Sequence, residues 1–377
     1  MHALSMNYWL KIPLCCFLII SFVGRCIAQK VRVPLDEEHW VLRGDAEFVE
    51  FDGRNALSGS AVLKDVEIAN GIIEFDLYST GARNFGGLMF RLQSSEEYEW
   101  CWIRTHKANG FVQDGVQYAP VFNGTACWQL NGDRNGIAPV RLPENEWVRV
   151  KVVLRGEIAE LFVGASEAPV LVMDHLQLGV KRGKLGLRAN RQNSVYFSNF
   201  VYEEISEDFL TTEKPVLEKG TLADWKISKS FKVEDFSELE EYPALRIEAE
   251  TDWTDGEVER NGLLNISKIR KHQGRDPSCV ILKTTLSSPE VKRVKLNFGY
   301  SDAAGIFLNG KPLFWGNNAY RGRNMADSLW ISYNDAIFLD LNAGENELVV
   351  MVAEVFGGWG FQARLNSPSP VWNVFNR

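Results

Sequence analysis

Cysteine and histidine are scarce in this 377-residue chain, and neither is spaced for metal chemistry. Of six cysteines, Cys15, Cys16 and Cys26 fall in the N-terminal apolar region, which leaves Cys101, Cys127 and Cys279. Three thiols make no disulfide framework, and no CxxC pair occurs. Cys101 and Cys127 either bridge in an oxidising compartment or stay as buried thiols. The five histidines, His2, His39, His106, His175 and His272, form no HExxH or H-x-H set, which argues against a catalytic zinc. No GxSxG elbow, Walker loop or dinucleotide fingerprint is present either. Gly357-Gly358-Trp359-Gly360 follows a strand-like run but opens no helix, so it is no phosphate cradle. A broad positive field is missing too: 41 Lys and Arg against 49 Asp and Glu give a net charge of −8, which excludes a general attraction to nucleic acid. After Val23 no run is apolar and long enough to span a bilayer.

What remains is rich in aromatics, with 12 Trp, 22 Phe and 10 Tyr, and this favours β structure. Lys11, the apolar run Ile12–Val23 and the small residue Ala28 resemble a secretory signal peptide spanning 1–28. The expectation is a secreted or periplasmic protein. A lipid anchor on Cys26 is less favoured, because Arg25 stands where a small residue is wanted.

From residue 46 onward short alternating runs follow one another, separated by turn residues. Ile73, Phe75 and Leu77 alternate with Glu74, Asp76 and Tyr78. Gly87–Gln93 and Tyr98–Arg104 read as a hairpin around the polar segment Ser94–Glu97. With Gln93 opposite Tyr98, Arg91 faces Trp100 and Met89 faces Trp102. One face then carries Met89, Arg91, Gln93, Tyr98, Trp100, Trp102 and Arg104. The other, carrying Leu88, Phe90, Leu92, Cys101 and Ile103, is the better core. Residues 105–146 are loop-rich but hold Gln117, Tyr118, Asn123 and Trp128. Residues 205–220 are polar and acidic and read as a linker. A second strand-rich region spans 221–366, with the hairpin turn Asn309-Gly310, and 367–377 reads as a tail. No long amphipathic helix is expected.

The succession GIIEFDL, GGLMFR, YEWCWIR, QYAPVFNG, WVRVKVVLRGEIAELFV, GKLGLRA and YFSNF, within 45–204, resembles the concanavalin A-like lectin/glucanase superfamily. The nearest branches are laminin-G-like modules and domains of the family 16 glycoside hydrolase or 3-keto-disaccharide hydrolase type. FGYSDAAGIFLNGKPLF, GNNAYRGR and NDAIFLDLNAGENELVVMVAEVFGGWGFQARL resemble a galactose-binding-like jelly roll. The resemblance implies an all-β protein: a two-sheet sandwich over 29–204 followed by a jelly-roll sandwich over 221–366. It also implies a sugar site on a concave face or rim, and calcium in some members.

The implied function is recognition of a carbohydrate or glycan, accessory to polysaccharide degradation. The alternatives are a glycan-acting hydrolase with a non-standard site and a structural or protein-interaction module. Glu74 and Asp76 begin the ExDxE pattern of family 16, whose paired carboxylates serve as nucleophile and acid. Tyr78 or Ser79 stands where the third carboxylate belongs. A different acid/base reading would use His106 or Glu99 near Arg91 and Arg104.

For binding, Tyr98, Trp100 and Trp128 are candidates to stack on sugar rings. Arg91, Arg104, Gln117, Tyr118 and Asn123 are candidates to bond hydroxyls. Against this stands a plain reading in which Trp100 and Trp102 only bridge the sheets. In the second region Trp315, Asn317, Asn318, Tyr320, Arg321 and Trp359 form either a ligand loop or packing against the first region. No cofactor is expected. Structural calcium would find oxygens in Asp252–Asp255 and Asp133–Asn135. Asn123-Gly124-Thr125 and Asn265-Ile266-Ser267 match the glycosylation sequon.

Overall fold

The computed structural model describes residues 29–132, 136–205, 216–273, 276–319, 330–366 and 372–373. The segment 1–28, the stretch Asp133–Asn135, Tyr320 and Arg321 lie outside the described residues.

The chain is all-β. Among the described residues there is a single α-helix, the six-residue Ala244–Ala249, and a few 3-10 turns. No described helix is long and apolar enough to cross a membrane.

Residues 31–204 form one hydrogen-bonded sheet that doubles back on itself. Its strands lie in the order Ile137–Ala138, Val116–Tyr118, Glu97–Arg104, Phe85–Ser94, Gly183–Arg188, Arg54–Ile68, Val195–Glu204, Gly71–Ser79, Trp147–Arg155, Ile158–Val163 and Leu171–Met173. Alternation drives the folding. In Gly71–Ser79 the residues Ile73, Phe75 and Leu77 are buried while Glu74, Asp76 and Tyr78 are half-exposed. The buried set meets Leu88, Phe90, Cys101 and Ile103 of the opposing layer in one core. Trp40–Phe51 pairs antiparallel with Arg54–Ile68, and Trp40 packs edge-on against Phe200 with ring centroids 4.9 Å apart.

Residues 224–373 build two further sheets. The larger contains Asp224–Ile227, Ser278–Ser288, Gly344–Glu354, Ala303–Leu308 and Lys311–Asn317. The smaller orders Leu263–Asn265, Gly360–Asn366, Lys292–Ser301 and Asp335–Leu341. They face each other across a core that includes Trp225, Phe298, Tyr300 and Phe361. The second apolar face of the larger sheet is covered by Phe236, Tyr242 and Ile247.

The loops at 119–131 meet this second body. Phe122, Cys127, Leu130 and Leu178 cluster with Leu263 and Ile331. Asn123 Nδ2 donates to the Ser267 carbonyl at 2.8 Å, and Gln129 N donates to the Gly357 carbonyl at 2.8 Å. The loops at 119–131 therefore pack between the two bodies. Cys101, Cys127 and Cys279 are buried free thiols. Asn265 is also buried, so its sequon is inaccessible in the fold.

Candidate functional site

The hairpin register differs from the expected one. Trp100 lies opposite Met89 and Trp102 opposite Gly87, a shift of two residues. The cause is an irregularity between Phe90 and Ser94, where Arg91 adopts φ 48°. A bulge of this kind re-aims a side chain. Arg91 turns into the interior and Leu92 moves to the outer face, where it joins Met89, Tyr98, Trp100 and Trp102.

Arg91 is fully buried and donates to the Ala69 carbonyl at 3.0 Å, to the Gly179 carbonyl at 2.6 Å and to the Gly156 carbonyl. Burial pulls its guanidinium down, and the nearby Glu99 carboxylate opposes that shift. Glu99 itself is pushed up by burial, although it accepts from the Tyr118 hydroxyl at 2.6 Å and from Leu178 N at 2.7 Å. Arg91, Glu99 and Tyr118 thus make a satisfied internal network, and the structure does not bring Arg91 or Tyr118 to the outer face.

That second face is built around Trp100 and Trp102, each 3% exposed, whose rings stand 4.2 Å apart. The Arg188 guanidinium lies over Trp100, 4.1 Å from the ring centre, and donates to the Tyr98 hydroxyl. Gly87 pairs with Trp102 on one side and Arg188 on the other. A Cβ on Gly87 would come within 2.0 Å of the Cys101 carbonyl oxygen, so only glycine fits between them.

Arg104 closes the other end. Its guanidinium lies 5.5 Å from the Trp102 ring and 5.6 Å from Phe85. It is anchored by Asp114 at 3.3 Å and by Gln117. Gln117 in turn donates to the Trp128 carbonyl at 2.7 Å. Trp128 meets Trp330 edge-on at 5.9 Å and Phe356 at 5.7 Å, which extends the aromatic row onto the second body.

Tyr98, Trp100, Arg104, Gln117 and Trp128 are therefore gathered together. Both indole nitrogens, Trp100 Nε1 and Trp102 Nε1, are buried without a hydrogen-bond partner among the described residues. An indole N–H is a donor only, and leaving one unsatisfied costs about 1–3 kcal/mol. Arg188 and Phe85 were missed in the sequence. The alternation of GKLGLRA, with Leu185 and Leu187 inward, carries the cue for Arg188.

The other candidates lie elsewhere. Asn123 binds Ser267 across the junction. Trp359 is a core residue whose indole donates to the Val352 carbonyl at 3.1 Å. Trp315 is partly exposed and donates to the Phe236 carbonyl at 2.8 Å. Asn317 accepts from Ala319 N at 2.9 Å, and Asn318 is buried.

Glu74 and Asp76 stand on the outer face of the opposite layer. Arg149 reaches both, at 2.6 and 3.0 Å, and Arg54 reaches Asp76 at 2.7 Å. They do not line the aromatic row. His106 is exposed, and Phe85 lies 5.8 Å from its ring. Asp252 and Asp255 are exposed and paired with Lys229 and Lys226. No group of three or more His, Cys, Asp or Glu able to hold a metal occurs among the described residues.

No family model and no curated protein matches the sequence. Several solved structures are similar in shape. One is the carbohydrate-binding module CBM66 from Bacillus subtilis, 14% identical, with 44% of this chain and 96% of that one covered and a TM-score of 0.35. Another is a Bacillus licheniformis beta-glucanase, 10% identical over 46% of this chain and 94% of that one, TM-score 0.32. A third is a xylan beta-1,4-xylosidase from Bacillus halodurans, 15% identical over 53% of this chain and 41% of that one, TM-score 0.34.

Proposed function

We propose that this protein recognises a carbohydrate on the outer face of the Glu97–Arg104 strand, and that it is exported and serves polysaccharide breakdown as an accessory. In this reading residues 29–204 are a lectin-like sandwich and residues 221–366 a jelly-roll partner. The observation that carries it is the pair of unpartnered indole donors, Trp100 Nε1 and Trp102 Nε1, framed by Arg188 and Arg104. A sugar offers hydroxyl oxygens that accept from indoles and guanidinia; because Trp100 and Trp102 are each 3% exposed, it reaches them only when the side chains covering them part.

A glycan-array screen of residues 29–377, followed by calorimetric titration of the selected glycan, tests the proposal. Trp100→Phe and Trp102→Phe keep an aromatic ring but remove the donor together with part of the indole. Each is expected to weaken binding about tenfold, the equivalent of one net hydrogen bond of about 1.4 kcal/mol, and melting curves of each variant separate that loss from the cavity the smaller ring leaves. A silent array, or full affinity in both variants, would contradict it.

A further inference from the structure

The most unusual polar cluster outside the aromatic row lies at the end of the larger sheet of the second body. There Ala353, Ala303 and Asn317 are aligned across three neighbouring strands. Glu354, Asp302 and Asn318 each stand one residue beyond that trio, which puts three oxygen-bearing residues at one sheet end. All three are at least nine-tenths buried: 1% exposed for Glu354, 1% for Asp302 and 6% for Asn318.

The hydrogen bonds around them are incomplete in one specific way. Asp302 Oδ2 accepts from Val355 N at 2.9 Å and Phe356 N at 3.0 Å, and Glu354 Oε1 accepts from Gly358 N at 2.8 Å. Asn318 N donates to the Asp302 carbonyl at 2.6 Å. Glu354 Oε2 and Asn318 Oδ1 have no hydrogen-bond partner among the described residues. Ser301 Oγ lies 3.4 Å from Asp302 Oδ1 and 3.3 Å from Gln129 Oε1, the latter contributed by the first body. Two buried carboxyls with spare lone pairs, and with no cationic side chain hydrogen-bonded to them among the described residues, are costly. Burial pushes both carboxyls up, and the Asp302 charge raises Glu354 further.

The donor set is hard oxygen throughout: carboxylate, amide carbonyl and hydroxyl. This is the chemistry calcium takes, whereas zinc and other borderline metals favour imidazole and thiolate. Two carboxylates completed by neutral oxygens would neutralise a divalent ion.

We propose that Asp302, Glu354 and Asn318, with Ser301 and Gln129, form a calcium site at the junction of the two bodies. Because Gln129 follows Trp128 and its N donates to the Gly357 carbonyl, the ion fixes the junction next to the aromatic row. This site is separate from the sugar reading and stands or falls without it.

The test is calorimetric titration of the chelator-treated chain, residues 29–377, with calcium chloride, together with its melting temperature in calcium and in chelator. One saturable site and a higher melting temperature in calcium are expected, and both responses should be lost in Glu354→Gln. Asn318→Asp adds a carboxylate and is expected to tighten calcium binding by about tenfold, since affinity follows ligand charge. It also guards against a Glu354 variant that merely unfolds.

Three results would overturn the proposal. The first is the absence of any saturable calcium response. The second is a response that survives Glu354→Gln, which puts the ion elsewhere. The third is a Glu354→Gln variant as stable in chelator as the parent is in calcium, which would mean that a proton neutralises the pair. An Asn318→Asp chain with unchanged calcium affinity would also count against it.

Discussion

Arg91 shows how a single residue is redirected by the backbone beneath it. Strict alternation places it beside Trp100, but the left-handed φ at Arg91 turns it into the core, where it satisfies carbonyls of three separate loops. Nothing in the spacing of the hairpin announces that turn, because a bulge is a local exception to the period-two rule. Arg91→Met should strand those carbonyls and the nearby Glu99. A loss of about 3 kcal/mol in unfolding free energy is expected, read by urea denaturation. Glycan affinity per folded molecule should be unchanged. A variant as stable as the parent, or one folded but unable to bind, would reverse the assignment of Arg91 to the core.

Trp100 and Trp102 illustrate the converse. Their alternation with Cys101 and Ile103 was readable in the sequence and holds in the fold. Their buried, unpartnered nitrogens were not readable, because satisfaction depends on side chains from distant strands.

At the scale of elements, most strands were legible because each buries a clean alternating face, as in Gly71–Ser79. The loops at 119–131 were visible only as aromatic and functional-looking. Their order depends on contacts with residues more than a hundred positions away, which no local pattern encodes. The Gly357-Gly358 turn belongs to the same class. Its residues take φ of 114° and 120°, and a Cβ on Gly357 would fall 1.9 Å from Gln129 Oε1. Gly357→Ala is therefore expected to cost about 1–3 kcal/mol and to loosen Gln129. Denaturation curves and proteolysis of the 119–131 loops would report both effects; an unaltered variant would show that the turn adapts freely.

For the whole molecule, the two bodies share polar as well as apolar contacts. An amide chain runs from Asn265 to Gln177 at 3.0 Å and from Gln177 to Asn131 at 2.7 Å. Beside it lies a cavity of about 210 Å³ lined by Tyr118, His175, Gln177 and Arg260, among others. Burial holds the His175 imidazole below its ordinary value. Glu259 and Glu157 act to raise it, while Arg260 and Lys268 act to lower it.

The sign follows from that depression. The unfolded chain takes up the proton first, so the stability is fully present above the ordinary histidine value of about 6.5. It is lost as pH falls through the lower folded value. The melting temperature should drop between pH of about 7 and 5, with a shallower slope in His175→Gln. Equal slopes in the two proteins would exclude His175 as the source.

The placement of the sugar on Trp100 and Trp102 has one direct readout, the indole N–H resonances of the 12 tryptophans in a nitrogen-15 labelled chain. On saturation with the array-selected glycan, the resonances of Trp100 and Trp102 should shift downfield and exchange more slowly with solvent, as each donor gains an acceptor. Shifts confined to other tryptophans, such as Trp253 or Trp315, would place the sugar elsewhere and contradict the account.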